Sequence, residues 1–380
     1  MKILIPTIYG DVHAIAVDIV LTKIGHSVTR WFPELIATNS AISFSLSLGT
    51  FKSQLVPRTD LKPNDGSETF DVIWNRRLGI PATKHLALHP ADKQLAKSDL
   101  YRMITSYMRH LSSTTIAINS FDSAVKAEDK MHQLSIASKV GIRIPETLLS
   151  NDPQAIHDFL EKTNPPHICK PLNNAYWQQD GGHVAMAMTN RISNEDLPSD
   201  ELLQAGPMIF QKEVKKNHEI RVTCMGGFLH ATKLNSQSNL SSKLDWRAVN
   251  PSELAMEETI LPPKVAGQCL EILERLDLRF GCIDLIVDAS GDYIFLEVNQ
   301  MGQFLWIEQF MPSIPMLDHF CSFLLSGDGQ YDGVARIRTG GYPGLMNETQ
   351  SILEQDLDLY RKAGIQFDDP SELAHNRILE

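Results

Sequence analysis

The chain has 380 residues, of which 43% are hydrophobic and 21% are charged, and its formal net charge is −11. This length is enough for about two or three domains with large cores. The acidic balance argues against broad binding to nucleic acids or anionic membranes, because such binding requires a basic surface. No apolar run approaches the roughly 20 residues that span a bilayer. We therefore expect neither a nucleic acid nor a membrane as partner.

The first elements follow a strand–helix–strand rhythm. The apolar start is broken by Tyr9, Gly10 and Asp11, so it is too short for a signal peptide and is typical of a first strand. The patterns predict strands over 2–8, 26–32 and 70–77, a helix over 11–23 closed by Gly25, and a helix over 83–111. This order predicts a small α/β domain over residues 1–115, which ends at the polar junction 112–122.

A second domain is predicted over residues 116–328. A helix begins near Lys130 and ends at Gly141, and strands are predicted at 167–171 and 208–214. The sequence then predicts a hairpin over 219–234, a helix over 261–278 and a second hairpin over 281–299. Residues 329–380 form a third segment, a glycine-rich stretch followed by an amphipathic helix, whose role the sequence does not indicate.

The second hairpin places two carboxylates face to face. If Val287 pairs with about Ile294 across the turn, Asp284 lies opposite Glu297, and Asn299 shares their face. Opposed like charges on a half-buried sheet repel unless something compensates them. A magnesium ion would do so, because it prefers oxygen ligands from one or two carboxylates and substrate phosphates. The competing interpretation is a strand edge whose acidic side chains are hydrated.

Phosphates beside such a metal would require cationic side chains from other elements. The candidates are Lys130, Lys170, Arg221, Lys233 and Arg247. Each of them, taken alone, is also compatible with a solvated surface residue.

In this order, the helix DKMHQLSIASKVGIRIPET, the strands CKP and FQKEV, HEIRV and the second hairpin resemble the ATP-grasp superfamily. The motifs DVIWNRR (71–77), EIRVTCMGGFLHATKLNSQ (219–237), LDWR (244–247) and FLEVNQMGQFLWIE (295–308) are similar to a narrower group, the graspetide synthetases or microviridin-type peptide macrocyclases, over about residues 1–325. The resemblance implies a mixed α/β and α+β chain, with an ATP-grasp fold preceded by a small α/β pre-ATP-grasp domain.

The resemblance also implies roles for residues at the matching positions. The implied nucleotide ligands are Lys130 and Lys170 at the phosphates, Gln211, Lys212, Glu213 and Val214 along adenine, and Glu219 at the ribose. Asp284, Glu297 and Asn299 match the ligands of one or two Mg²⁺ ions. Arg221 matches the arginine at the reacting phosphate, and Lys233 and Arg247 are expected to orient phosphate or the acceptor carboxylate. The loop 178–186 is expected to cover the phosphates.

The implied activity is an ATP-dependent carboxylate–amine or carboxylate–alcohol ligation through an acyl phosphate. Its substrate would be a ribosomal precursor peptide, with leader and core, that receives intramolecular ω-ester or ω-amide links. Such relatives are commonly homodimers. The dispersed, odd-numbered cysteines contain no C-x-x-C motif and indicate a reducing cytoplasm.

Two other functions remain open at this stage. One is an ATP-grasp ligase that joins free amino acids or extends a peptide terminus, as in glutathione-synthetase-like or glutamate-adding relatives. The other is a non-catalytic ATP-binding regulatory protein. Arg76 and Arg77 fit either steering of an acidic precursor or a structural ion pair, and Glu308 fits either a helix start or an acceptor-side carboxylate.

Overall fold

The computed structural model describes residues 1–48, 50–57, 69–83, 86–172, 176–178, 184–186, 188–327 and 330–365. Its first elements are β1 (Lys2–Pro6), α1 (Val12–Lys23), β2 (Ser27–Trp31), α2 (Ile36–Asn39), β3 (Ser40–Ser47), β4 (Thr50–Pro57), β5 (Val72–Trp74), α3 (Pro90–Thr114) and β6 (Ile116–Ile118). Four of the strands form a parallel sheet in the order β2-β1-β5-β6, and β3 and β4 form a separate hairpin. The predicted α/β start is therefore confirmed.

Two sequence boundaries in this region differ from the prediction. Helix α3 begins at Pro90 rather than near residue 83, because the side chain of His89 caps it and proline is favoured in a first turn. Strand β6 pairs with β5 in the N-terminal sheet, although the predicted division at 115/116 placed it in the second domain. The short hydrophobic run Ile116–Ile118 carries no sign of its partner strand, and on the pairing with β5 we propose a domain division after Ile118.

A second group of elements forms a four-stranded antiparallel sheet in the order β11-β8-β12-β7. The elements are α4 (Phe121–Ala127), α5 (Lys130–Val140), β7 (Thr147–Ser150), α6 (Pro153–Lys162), β8 (His167–Lys170), β9 (Tyr176–Gln178), β10 (Val184–Met186), β11 (Asn190–Ile192), α7 (Asp200–Ala205) and β12 (Met208–Lys212). Helix α5 begins where predicted because Asp129 caps the backbone N–H groups of Met131 and His132. It ends at Gly141, whose φ of 82° is the left-handed conformation that glycine tolerates.

The third group forms a five-stranded antiparallel sheet in the order β15-β14-β13-β16-β17. Its elements are β13 (Lys216–Met225), β14 (Phe228–Leu234), β15 (Met256–Thr259), α8 (Pro263–Arg275), β16 (Phe280–Asp288) and β17 (Tyr293–Asn299). Both predicted hairpins are present. One face of the sheet carries buried apolar side chains such as Val222, Ile283 and Phe295, which pack with those of α5 and α8. Because side chains alternate along a strand, the polar residues between them lie on the opposite face.

The last helices are α9 (Leu305–Phe310), α10 (Met316–Ser326) and α11 (Met346–Lys362). Side chains of α9 and α10 share one core with α1 and β1. Within it, Phe304 and Phe320 stack, and Phe280 meets both rings edge-on. The segment 329–380, in its described part, joins the same structure. Arg30 of β2 holds both carboxylate oxygens of Asp356 in α11. Tyr360 packs in a buried cluster with Phe32 and Leu35.

Within the described ranges, every helix is too short or too polar to cross a bilayer. The mixed α/β and α+β class is confirmed. Among the described residues, the parallel sheet is followed by a four-stranded and a five-stranded antiparallel sheet, and β9 and β10 pair separately as a two-stranded antiparallel sheet.

Candidate functional site

A cleft lies between the two antiparallel sheets, and its empty volume is about 620 Å³ with its open mouth included. Strands β8 and β12 supply one wall, and the polar face of β13, β16 and β17 supplies the other. Eight predicted site residues line the cleft: Lys170, Gln211, Glu213, Val214, Glu219, Arg247, Asp284 and Glu297.

The facing carboxylates form through a different register from the one predicted. Val287 pairs with Tyr293 rather than Ile294, and the pairing slips by one residue between Leu285 and Asp284. This bulge leaves Leu296 as the extra residue, so Asp284 lies opposite Glu297 after all, and both Leu296 and Glu297 reach the cleft. Bulges commonly redirect a side chain in this way beside functional sites.

The two carboxylates have different electrostatic surroundings. Burial alone would raise the pKa of Glu297, but the charges of Lys130, Arg247 and Lys170 outweigh it and hold that pKa well below its ordinary value. Burial raises the pKa of Asp284, and the charge of Glu297 adds to this while Arg221 opposes it. The pair therefore accepts one negative charge more readily than two. A divalent cation would allow both groups to ionise, and two carboxylates are the oxygen donors that magnesium prefers.

Asn299 follows Glu297 on the same strand and pairs with Cys282. Its side-chain oxygen accepts the backbone N–H of Gly302 at 3.1 Å, which leaves a second lone pair on that oxygen. Asn299 does not line the cleft itself. Its donor type fits a hard cation, and its place at the end of β17 is beside the acidic pair.

Lys130 and Lys170 approach the acidic pair from different elements. The ammonium group of Lys130, at the start of α5, contacts the Glu297 carboxylate directly. Lys170 ends β8, and burial lowers its pKa while the charge of Glu297 opposes that shift. The fold thus brings a helix start, a strand end and the second hairpin to one point, as the predicted roles require.

Two arginines hold the acidic side chains in place. Nη1 of Arg221 donates to both oxygens of Asp284, at 3.0 and 2.9 Å. Among the described residues, nothing accepts a hydrogen bond from the buried Nε of Arg221. Arg247 forms a two-point pair with Asp245, at 2.9 and 2.8 Å, and its Nη1 lies 3.7 Å from Glu297.

The sequence analysis missed two members of the site, Lys216 and Asp245. Nζ of Lys216 donates to Glu219 and to the carbonyl of Leu244, each at 2.8 Å. Burial raises the pKa of Glu219, and the charge of Lys216 opposes this. Lys216 precedes Glu219 by three residues, and Asp245 stands in the LDWR motif that drew attention to Arg247, so proximity to predicted residues was the available signal.

The strand β12 and the residues after it place their side chains on both sides of the sheet. Gln211, Glu213 and Val214 line the cleft, whereas Lys212 does not and instead lies 3.6 Å from Glu146. Nε and Nη2 of Arg191 hold the carboxylate of Glu213, each at 2.7 Å. If Lys212 contributes along adenine, it therefore does so through its backbone.

Lys233 requires a correction. It pairs with Ile220, whose side chain belongs to the apolar core on the far face of the sheet, so Lys233 points away from the cleft. Its ammonium group pairs with Glu257 of β15 at 2.6 Å. The sequence placed Lys233 correctly on β14 but did not reveal which side chains of β13 it lies opposite. We remove it from the candidate catalytic residues.

Three residues left open by the sequence have structural partners. Arg76 is fully buried and pairs with Asp11 at 3.0 Å, and Arg77 is a further neighbour of that carboxylate at 3.9 Å. Glu308 accepts the backbone N–H groups of Leu317 and Tyr342, each at 2.8 Å, so it joins α9 to α10 and to the C-terminal segment. Residues 179–183 of the loop expected to cover the phosphates lie outside the described residues.

Residues 127–312 match the family model described as the RimK-like ATP-grasp domain. The chain contains an ATP-grasp domain. The predicted ATP-grasp resemblance is thereby confirmed, and the two antiparallel sheets with the cleft between them lie within the matched range.

The ATP-grasp domain and its neighbours also resemble solved structures over most of the chain. The macrocyclase MdnC of Microcystis aeruginosa, bound with precursor peptide MdnA, is 24% identical with a TM-score of 0.74, covering 86% of this chain and 100% of that one. A ligase associated with RiPPs from Chryseobacterium gregarium, in complex with ADP and a leader and core peptide, is 24% identical with a TM-score of 0.72 and coverages of 87% and 95%. These likenesses show that this chain shares the fold of peptide-modifying ATP-grasp ligases.

A curated relative points to another ATP-grasp ligase. The α-aminoadipate–LysW ligase LysX of Sulfurisphaera tokodaii is 24% identical over 213 residues, which is 53% of this chain and 71% of that protein.

Proposed function

We propose that this protein is an ATP-dependent ligase that activates side-chain carboxylates of a ribosomal precursor peptide and links them, within that peptide, to hydroxyl or amine groups. The supporting observation is the convergence of Lys130, Lys170 and Arg247 on Glu297 in a cleft between the two sheets of an ATP-grasp domain. The likeness in fold to ligases solved with precursor peptides supports the choice of substrate.

The cleft has groups suited to each part of a nucleotide. Lys130 and Lys170 would bind the phosphates as point charges, and the backbone of 211–214 would bind the adenine edge. Glu219 is buried near the start of β13 and accepts a hydrogen bond from Lys216. Its carboxylate would accept hydrogen bonds from the ribose hydroxyls. Relatives solved with ADP and Mg support this assignment.

Asp284, Glu297 and Asn299 would hold magnesium, which would supply charge neutralisation to the phosphate oxygens when bound. A bound cation would favour the ionised form of Asp284 beside Glu297, against the burial that raises the pKa of Asp284. Arg221 then keeps the Asp284 carboxylate oriented through its two hydrogen bonds.

The chemistry begins with a leaving-group problem. A free carboxylate would have to expel oxide or hydroxide, whereas an acyl phosphate expels phosphate. The acceptor carboxylate oxygen attacks the γ-phosphorus, the bond to the bridging oxygen breaks, and ADP leaves. A hydroxyl or amine then attacks the acyl carbon, loses its proton, and phosphate departs. Arg221 and Arg247 stabilise the charge that develops on the transferring group, so positioning and electrostatics supply most of the catalysis.

The experiment is incubation of the protein with ATP, Mg²⁺ and synthetic candidate precursors, followed by mass spectrometry. Each ring is expected to remove the mass of one water from the peptide and to release one phosphate. The Glu297→Gln variant should lose both products, since it removes the charge that faces Lys130 and the cation. Full ATP turnover by Glu297→Gln would refute the ligand assignment, and an unchanged peptide mass with every precursor would refute macrocyclisation.

A second candidate is ligation of a free amino acid to a protein or peptide carboxylate. The observation that favours it is the alignment with the α-aminoadipate–LysW ligase. The same assay separates the two, because this reaction adds the mass of an amino acid less one water instead of removing water alone.

Assembly is a further part of the proposal. We infer a homodimer from the resemblance to the macrocyclase family, and sedimentation of the purified protein at several concentrations tests it. A monomer throughout would refute the dimer without affecting the ligase assignment.

A further inference from the structure

Arg76 reaches from the N-terminal sheet to the loop that follows β17, the strand that carries Glu297 and Asn299. Its side chain is fully buried at the end of β5. Nη1 donates to the backbone carbonyls of Met301 and Gly302, at 2.7 and 2.9 Å. These carbonyls belong to the post-strand loop (residues 300–304), which connects β17 to α9. A single guanidinium group thus fixes two consecutive peptide units of this loop.

Asp11 fixes Arg76 in turn. Its carboxylate lies 3.0 Å from Nε of Arg76 and also caps α1 by accepting the N–H groups of His13 and Ala14. Burial alone would raise the pKa of Asp11, but Arg76 and Arg77 outweigh it and hold that pKa well below its ordinary value. The Asp11 carboxylate is therefore ionised at neutral pH and forms an ion pair with the guanidinium group of Arg76.

His13 holds the other end of the same loop. Its Nε2 accepts the backbone N–H groups of Phe304 and Leu305, at 3.0 and 3.2 Å. An imidazole nitrogen that accepts hydrogen bonds carries no proton, and burial together with Arg76 lowers the pKa of His13, which keeps the ring neutral. We name Asp11, His13 and Arg76 the loop clamp.

The loop joins the clamp to a metal-site side chain. The N–H of Gly302 donates to the side-chain oxygen of Asn299, and the carbonyl of Met301, which belongs to the same planar peptide unit, accepts from Arg76. The φ of 57° at Gly302 is a left-handed conformation that glycine adopts without strain. Arg76 thus holds the peptide unit between Met301 and Gly302, and that unit orients the Asn299 amide through its N–H.

We propose that the loop clamp positions Asn299 for magnesium, so that the N-terminal sheet tunes metal affinity from outside the ATP-grasp cleft. This rests on the metal site of the proposed function. The members of the clamp are positioning residues, because they touch the loop and not the nucleotide or the metal. Outer partners of metal ligands typically alter affinity by about 10- to 100-fold when they are removed.

Arg76→Lys tests the proposal, because lysine keeps the positive charge but lacks the planar fork that binds Asp11 through Nε and both loop carbonyls through Nη1. Two readouts need no peptide: hydrogen exchange of the amides in 302–305, and calorimetry of ADP binding over a series of Mg²⁺ concentrations. The variant should exchange these amides about tenfold faster and need about tenfold more Mg²⁺ for half-maximal ADP binding. ADP binding in the absence of Mg²⁺ should stay unchanged.

Arg30→Lys is the matched control. Arg30 is another largely buried arginine of the N-terminal sheet with a two-point carboxylate partner, Asp356, and it has no contact with the loop. The Arg30→Lys substitution should lower the melting temperature without changing the Mg²⁺ concentration needed for half-maximal ADP binding. Asp11→Asn provides a second clamp variant if Arg76→Lys does not fold.

Faster loop exchange with an unchanged Mg²⁺ requirement would overturn the proposal, and so would unchanged loop exchange. Wild-type protein that binds ADP with Mg²⁺ but modifies no peptide would refute the proposed function alone. Wild-type protein that shows no Mg²⁺-dependent ADP binding would refute both.

Discussion

The carboxylate of Glu297 faces Lys130, Lys170 and Arg247, so positive charge surrounds it on several sides. Coulomb attraction within a partly desolvated cleft is stronger than in water. Before a nucleotide binds, Glu297 compensates these cations, and phosphate oxygens would take over that role on binding. The cationic side chains that would bind phosphate are therefore already gathered around one carboxylate of the cleft.

The two lysines Lys130 and Lys233 provide a matched comparison at the residue scale. We expect Lys130→Ala to raise the KM for ATP by roughly 10- to 100-fold, since a hydrogen bond to a charged group contributes roughly 1.5–3 kcal/mol. Lys233→Ala should leave KM unchanged, because its ammonium group pairs with Glu257 on the far face of the sheet. The KM for ATP of each variant is measured from steady-state phosphate release over a series of ATP concentrations. A similar rise in the KM for ATP with Lys233→Ala would contradict the assignment of Lys233 to a face that does not affect nucleotide binding.

Residue identities allowed much of this site to be predicted. The residue types of the second hairpin indicated that Asp284 faces Glu297, but the assumed register was one residue off and a bulge at Leu296 restores the pair. The helix start near Lys130 was predicted as the structure has it. The bulge at Leu296 was not predictable, because it depends on how β17 accommodates its neighbours. The orientation of Lys233 was missed because hairpin periodicity gives two faces but does not say which face is covered by helices.

At the scale of elements, the contact between α11 and the N-terminal sheet contains a buried acid. Glu34 lies beside Tyr360, whose hydroxyl donates to it, and Tyr9 N–H also donates at 3.5 Å. Burial raises the pKa of Glu34 from 4.5 to about 7, although both hydrogen bonds oppose the shift. The folded protein therefore holds this proton more tightly than the unfolded chain does.

The sign of the resulting pH dependence follows from linkage. Because the folded pKa is raised, the stabilising contribution is fully present below pH 4.5 and is lost as pH rises towards the folded value of about 7. The total change is about 3 kcal/mol, from 1.36 kcal/mol per unit of pKa. Melting temperatures measured from about pH 5 to about pH 8 should fall with rising pH in the wild type. The profile of Glu34→Gln should be flatter. Parallel profiles for the two proteins would contradict it.

Elements differ in how well the sequence predicted them. Helix α5 and the hairpin of β13 and β14 agreed closely with the prediction, because the terminal Gly141 and the Gly-Gly pair at the hairpin turn are local signals. The start of α3 and the sheet membership of β6 were wrong, because the first depends on a His89 cap and the second on a partner strand over forty residues away. Nonlocal pairing leaves little trace in a short apolar run.

At the scale of the whole molecule, the C-terminal segment is a structural part of the N-terminal sheet region. Tyr360 is fully buried, and its ring packs edge-on against Phe32. We expect Tyr360→Ala to destabilise the protein by about 3–5 kcal/mol, as large-to-small core changes do. The KM for ATP should not change, because the cleft lies in the other sheets. Thermal melting and ATP kinetics measure the two effects.

Tyr101 is the control for this change, since it lies on α3 with 42% of its surface exposed. Tyr101→Ala should alter the melting temperature much less than Tyr360→Ala does. Equal effects of the two substitutions would mean that α11 does not support the N-terminal core.

The contact between Glu34 and Tyr360 joins residues 326 positions apart. At a synthesis rate of roughly 5–20 residues per second, α11 would be made roughly 15–65 seconds after the region around Glu34 of the N-terminal domain. Throughout that interval the surface around Phe32 and Leu35 has no cover. Nascent chains of this protein are thus expected to depend on chaperone binding near their beginning, and slower translation would lengthen the exposure of that surface to proteases.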